Sequence, residues 1–505
     1  MPYFLNIYIV CVILLIIVYL LVRLINLTLL PIFNDEAIYL DWGARMTEAG
    51  GDLYYSLADS KQPLLMWLFG IFQKFISDPL FAGRLVSVLA GITTLIGIYK
   101  LSHTIFNRKI AQIAGLLYIF TPIFIFFDRQ ALMEAGIASV GIWSCFFLIK
   151  LIDKKENRYA WLLGLILGLG FLIKSSALIF IALSFIIMLF VAFKKREKKI
   201  LRLLTITACA IIATNAIIII NPKFWTIFSD NRYTYNISEV ASFAWTANIS
   251  SNLNIMFFYL TPLVFIAVLI SLFKIFKQKE HTSQILAAWF ILGIAFETVL
   301  GKNPSQRYLV SFLPAAVIFA SYFLYNFSKN KIVILMSSFV VFSIPIALSL
   351  LLIFKPVTYI QELSKITKFS ELEYIEGQTS GFGVKETLDY VKNIKTDKKK
   401  FISVALNAGN PESAILAYLD REKAIGNGYL DSKLLGEQIK GIDCLISNYD
   451  NYFISRDDEL AGLNKYLEKV HEVKKPYGKN YIGIYKFRGN CKGNTLKVRP
   501  TKLAN

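Results

Sequence analysis

A chain of 505 residues that is 55% hydrophobic and 14% aromatic, with a mean hydropathy of +0.53, lies outside the range of ordinary soluble domains and reads as a polytopic α-helical membrane protein. The net charge of +19 does not indicate a nucleic-acid partner, because the basic residues before Lys355 cluster in loops between apolar runs and are not interleaved with stacking aromatics.

The first apolar stretch, 7–30, is too long for the apolar region of a secretory signal and lacks a small-residue cleavage site, so it is expected to stay as the first helix. Arg23, late in that span, is expected to snorkel outward. Further spans are predicted at 84–105, 110–127, 135–152, 159–173, 175–193, 201–220, 255–273, 284–300, 308–326 and 332–354, about 11 transmembrane helices in all. The apolar stretch 159–193 would measure about 52 Å as one helix, too long for a bilayer core of roughly 30 Å; two short spans meeting at Lys174 fit better. Residues 63–76 are too short to cross and suit an interfacial helix, with Trp67 and Lys74 at that depth.

With the N-terminus inside, Lys154-Lys155 with Arg158, Lys194-Lys195-Arg196, Lys274 with Lys277, and Lys329 with Lys331 all fall on the cytoplasmic side of the plasma membrane. The loops 31–83 and 221–254 and the tail are then extracytoplasmic. From Lys355 onward the hydrophobicity drops. The helical pattern Val384, Leu388, Val391 alternates with strand-like runs at 401–406, 442–446 and 481–487, which predicts a C-terminal α/β domain. The expected organisation is a transmembrane domain, 1–354, whose outer loop 31–83 carries the chemistry, and an extracytoplasmic α/β domain, 355–505. Cys11, Cys145 and Cys209 sit in spans as small apolar groups. Cys444 and Cys491 in the outer tail allow a disulfide, and an unpaired buried state fits equally well.

The acidic pair Asp35-Glu36 directly follows the first span, where carboxylates lose solvation and need a compensating cation, proton or substrate. Either acid can deprotonate an acceptor, and together they are candidate ligands for a divalent cation such as Mg, Mn or Zn. The plainer use is a helix start, with Asn34 or Asp35 capping an interfacial helix that begins near Ala37. His103 and His281 fall on the cytoplasmic side and His471 in the tail, and no HExxH spacing exists, so carboxylates are left as the general-base candidates.

Lys61, beside Pro63, can hold a phosphate as a point charge or snorkel from the interfacial helix. Asp128, Arg129 and Glu134 in the second outer loop form a structural ion pair on the plain reading; together with Asp35 they suit an anionic lipid-linked substrate. Lys174, Lys302 and Arg307 are the other outer-face cations. Arg307, beside Tyr308, can clamp a phosphate through two parallel hydrogen bonds or anchor the span at the interface.

Taken in order, these motifs resemble the C-type (GT-C) glycosyltransferases. They are Asp35-Glu36 with Tyr39, Lys61-Gln62-Pro63-Leu64, Gly83-Arg84-Leu85, Phe127-Asp128-Arg129 with Ala131-Leu132-Met133-Glu134, Gly170-Phe171-Leu172-Ile173-Lys174-Ser175 and Arg307-Tyr308. The subgroup they look like comprises the dolichyl-phosphate-mannose protein mannosyltransferases and the bacterial aminoarabinose transferases that modify lipid A. The resemblance covers residues 7–326. It implies inverting transfer of one sugar from a polyprenyl-phosphate donor to an extracytoplasmic lipid, glycan or protein, with Asp35 as base, Glu36 its neighbour, Lys61 a phosphate ligand and Glu134 the second-loop acid.

The chain departs from the pattern in having Ile38 where relatives of the lipid A enzymes often carry a basic residue, Gln62 within the Lys-Pro-Pro element, and Glu134 where Asp is usual. Two other classes compete: a lipid or solute transporter or flippase without bond chemistry, and a scaffold presenting its tail. Paired halves and midplane charges in interrupted helices, common in transporters, are not seen in the sequence.

Overall fold

A computed structural model describes residues 2–229, 232–278, 280–367, 371–405, 409–419, 425–430, 449–456, 467–487 and 498–502. Cys444, Cys491 and the expected strand 442–446 lie outside the described residues. The chain forms two compact units: Met1–Leu27, Asp52–Trp67 and Arg84–Tyr359 make the first, and Thr28–Gly51, Leu68–Gly83 and Ile360–Asn505 the second.

The first unit is helical, and the chain is a multi-pass membrane protein. Among the described residues, six helices are long and apolar enough to cross a membrane: Pro79–Ile105, Glu134–Lys154, Ala177–Lys194, Lys198–Ile219, His281–Leu300 and Ile332–Phe354. The number rises to 8 if each of two bent pairs is one span. The expected count of 11 is therefore not confirmed, for two reasons. Val10–Leu24, Asn157–Ile173 and Leu313–Asn326 are apolar but shorter than the long spans. The spans expected at 110–127 and 255–273 are also broken, bending by 64° between Arg108–Phe120 and Pro122–Asp128 and by 115° between Thr246–Tyr259 and Pro262–Lys277.

Both breaks fall at a Thr-Pro step. Proline has no N–H to continue the helical ladder and pushes the preceding residue out of the helical region. Thr121 is accordingly extended, at φ −76° and ψ 123°, and Thr261 has φ 73°. The stretch 159–193 is parted at 174–176, between Asn157–Ile173 and Ala177–Lys194.

The second unit carries a six-stranded sheet of β1 (Lys399–Ala405), β2 (Ile425–Leu430), β3 (Tyr449–Arg456), β4 (Leu467–Lys474), β5 (Tyr481–Phe487) and β6 (Val498–Lys502) in the order β4-β5-β3-β1-β2-β6. The centre is parallel: β1 pairs with β2 on one side and β3 on the other, with Phe401 opposite Gly426 and Asn451. Residues 401–405 of β1 are all buried, as expected of a parallel strand covered on both faces. The antiparallel edge strand β4 is largely exposed. The helix Glu412–Leu419 joins β1 to β2, and it packs against the helix Asn34–Thr47. The segment 28–51 thus folds with the tail, a grouping that local sequence patterns do not reveal.

Candidate active site

Asp35 and Glu36 lie in the first turn of the helix Asn34–Thr47, which starts three residues before the expected Ala37. Glu36 is completely buried, and its Oε2 accepts the Phe33 N–H at 2.9 Å. Glu36, at the third helical position, is therefore the acid that ties down the helix start, in place of the Asn34 or Asp35 expected from the sequence. Asp35 remains partly exposed, and the Asn34 side-chain amide donates to its Oδ1 at 3.4 Å. Further along the same helix, buried Asp41 accepts from Arg45 at 2.9 Å.

Consecutive helical side chains point about 100° apart, so neighbours at i and i+1 do not face each other. One Glu36 oxygen already accepts a backbone N–H, so a cation held by the pair would have to use the other Glu36 oxygen together with Asp35. Among the described residues no three His, Cys, Asp or Glu side chains gather as a metal site.

In the first unit, four of the expected site residues come together. Glu134, the first residue of its helix, is fully buried. Its Oε1 accepts from Lys174 Nζ at 3.1 Å and from Arg307 Nε at 3.1 Å. The Lys174 ammonium lies 4.9 Å from the centre of the Tyr308 ring. Two cations share one carboxylate oxygen, and Glu134 Oε2 is buried without a hydrogen-bond partner. Lys61 stacks its ammonium over Tyr233 at 4.7 Å. Lys174 can stand here because the apolar helix before it stops at Ile173, and the Ser175 N–H is taken up by Gln62 Oε1 at 3.0 Å.

Asp128 and Arg129 do not join this group. Asp128 is buried with both oxygens engaged: Arg23 Nε donates to Oδ2 at 3.0 Å, Tyr19 to Oδ2 at 3.2 Å, and Tyr118 to both oxygens. Arg129 donates to the carbonyls of Val22 and Asn26. Arg23 does not snorkel outward. It is fully buried and also donates to the Ile119 and Tyr118 carbonyls, because Asp128 offers it a charge partner inside the bundle.

Lys302 pairs with Glu239 at 3.1 Å. The Asn236 N–H and then the Lys302 ammonium hold the Glu239 carboxyl below its ordinary range. The Lys223 ammonium and then the Tyr54 N–H do the same for Asp52.

Two residues of the cluster escaped the sequence reading. Gln62 registered only as a departure from a motif, yet it braces the turn after Lys174. Glu297, within the helix His281–Leu300, interacts electrostatically with Lys174; a carboxylate inside an apolar span was the available signal.

Residues 60–220 match the family model described as dolichyl-phosphate-mannose-protein mannosyltransferase. No curated protein sequence matches the chain. Among solved structures it is similar to the crystal structure of ArnT from Cupriavidus metallidurans in the apo state, with a TM-score of 0.61, 14% identity, and coverage of 94% of this chain and 97% of that one. The same enzyme bound to undecaprenyl phosphate matches with a TM-score of 0.57 at 14% identity and the same coverage, 94% and 97%. The similarity in fold therefore extends over almost the whole chain.

Proposed function

We propose that the protein is an inverting glycosyltransferase that moves a single sugar from a polyprenyl-phosphate donor to an extracytoplasmic lipid, glycan or protein, with Asp35 as the general base. The observation that carries this reading is the division of labour within the acidic pair. Glu36 is buried as a structural group, whereas Asp35 keeps access to solvent in the same turn. A base must reach the proton it abstracts. In this scheme Asp35 takes the acceptor's proton, and the acceptor oxygen or nitrogen attacks the anomeric carbon from the face opposite the phosphate. The bond to the lipid phosphate breaks with its electron pair on the phosphate oxygen.

Lys61, Lys174 and Arg307 are assigned to the departing phosphate, since cations fixed ahead of the reaction stabilise charge as it develops. The two cations held on one Glu134 oxygen, both partly exposed, support that role. Glu134 Oε2, buried and unpartnered, is assigned to a hydroxyl or amine of the donor sugar. Residues 1–354 act as the transferase portion, with the outer loops and tail outside the cytoplasm. This orientation follows the lysine clusters on the opposite loops.

The test is transfer from a labelled polyprenyl-phosphate sugar by the reconstituted full chain. Asp35→Asn at equal abundance is expected to lower the rate by about 10² to 10⁴, and full activity of that variant refutes the assignment.

A further inference from the structure

We propose that the C-terminal sheet domain holds the base in place, with Asn410 and Asn34 as positioning residues for Asp35; the proposal rests on the reading of Asp35 as the general base. All the residues concerned belong to the second unit.

In an open α/β sheet, the crevice beyond the carboxyl ends of the central strands, where the strand order reverses, is the usual ligand position. Here the reversal lies at β1, which pairs with β2 on one side and β3 on the other. The described turn that follows β1, Gly409-Asn410-Pro411, leads directly into the helix Glu412–Leu419. That turn is occupied by the protein's own chain. The Asn410 N–H donates to Asn34 Oδ1 at 2.8 Å, and Asn410 Nδ2 donates to the Ile32 carbonyl at 3.0 Å and the Thr379 carbonyl at 2.8 Å. Thr379 O in turn accepts the Asn34 N–H at 3.0 Å.

The fit leaves no slack. Gly409 has φ +125°, and a Cβ there would stand 1.9 Å from Asn34 Oδ1, while a Cβ at Gly381 would stand 1.9 Å from the Ile32 carbonyl oxygen. The Phe33 ring stacks on Tyr374 with centroids 4.1 Å apart. The 374–381 segment is itself lashed to the β4–β5 hairpin. Lys475 Nζ donates to the Gly377 and Ser380 carbonyls at 2.8 and 2.9 Å, and the Glu376 carboxylate accepts the N–H groups of Tyr477, Lys479 and Asn480.

A continuous path therefore runs from the sheet through Asn410 to Asn34, whose amide donates to Asp35 Oδ1. Every polar atom of the Asn34 side chain is committed, its oxygen to the sheet domain and its amide nitrogen to the base. The domain thus uses its ligand position to clamp the entry of the helix that carries Asp35. Displacing a reacting group by about 1 Å lowers a rate by as much as about 10²-fold, so the clamp acts on turnover.

The experiment uses the full chain in membranes of cells lacking the native copy, which supply their own donor and acceptor. Labelled sugar transfer is measured per molecule of Asn34→Ala, Asn410→Ala, the double variant and Asp35→Asn. Undecaprenyl phosphate is titrated as a competing probe of the donor site, and amide exchange is followed at residues 33–37. Each single variant is expected to lose about tenfold to a hundredfold in rate, with faster exchange at 33–37 and unchanged inhibition by undecaprenyl phosphate. The double variant is expected to be no slower than the worse single one, since both act through one path.

Wild-type rates in both single variants while Asp35→Asn is inactive overturn the clamp and leave the base standing. Activity in Asp35→Asn overturns the base reading beneath it. A loss of undecaprenyl phosphate inhibition and abundance together, or multiplied losses in the double variant, shows general destabilisation and also overturns the proposal.

Discussion

Asp128 and Glu134 flank the same short loop six positions apart, both are buried, and both meet basic side chains, yet they are bonded in opposite ways. Asp128 is saturated: an arginine and two tyrosine hydroxyls cover both of its oxygens, and its partner Arg23 is as inaccessible as Asp128 itself. Glu134 is left incomplete, with two cations on one oxygen, none on the other, and Lys174 and Arg307 still 21% and 20% exposed. A buried charge whose partners are all internal locks a bundle. One that keeps an open oxygen and solvent-reachable cations still has bonding capacity, which the proposed function assigns to the donor. Burial alone does not separate the two uses, because only the completeness of the hydrogen bonding does.

The comparison breaks most readily at the saturated end. Arg23→Ala leaves Asp128 buried without its cation and strips the Ile119 and Tyr118 carbonyls of their donor. It is expected to destabilise the fold by roughly 3–5 kcal/mol, read as a lowered melting temperature and low membrane abundance, while the molecules that do fold keep their transfer rate. Glu134→Gln is expected to show the reverse: melting close to wild type and transfer about tenfold to a hundredfold slower, as for loss of a hydrogen bond to a charged group at roughly 1.5–3 kcal/mol. If Glu134→Gln unfolds the protein at normal specific activity, the distinction fails.

Gln62→Leu, which removes the acceptor of the Ser175 N–H, tests the support behind the cluster. A loss of about 0.5–1.5 kcal/mol in stability is expected, with a weaker response to the phosphate-bearing donor because Lys174 is less well fixed.

The smallest effect is expected at Asp52. Lys223 and Tyr54 depress its folded-state pKa, so its contribution is complete above the unfolded value of about 3.9 and disappears as pH falls through the folded value. The pair is about half exposed on each side, and screening limits it to about 0–1 kcal/mol. Asp52→Asn should therefore lower the melting temperature slightly at pH 6 and not at pH 3.

Much of this was legible in the chain. Hydropathy located the helical segments, the drop after Lys355 announced the α/β tail, and β1, β5 and the helix Val384–Asn393 coincide with the predicted runs. Four strands lie outside the predicted runs: β3 and β6, β2, whose Ile425–Leu430 contains two glycines, and β4, whose Leu467–Lys474 is a charged edge. The two Thr-Pro bends were written in the sequence as well, but an average over a window dilutes a single proline. In the site, the order of Glu134, Lys174, Arg307 and Tyr308 was visible, although the participation of Gln62 and Glu297 was not.

The sequence by itself determined the membrane class, the α/β tail and the set of charged residues available at one face, because hydropathy, periodicity and charge are local properties that add along the chain. Only the tertiary structure decided which charges meet: Arg23 with Asp128, Lys174 and Arg307 with Glu134, and Asn410 with Asn34 across 376 positions. It also decided that Glu36 secures a helix start while Asp35 stays accessible. A hydrogen bond depends on distance and direction at the scale of an ångström, and for residues far apart in the chain those are set by packing.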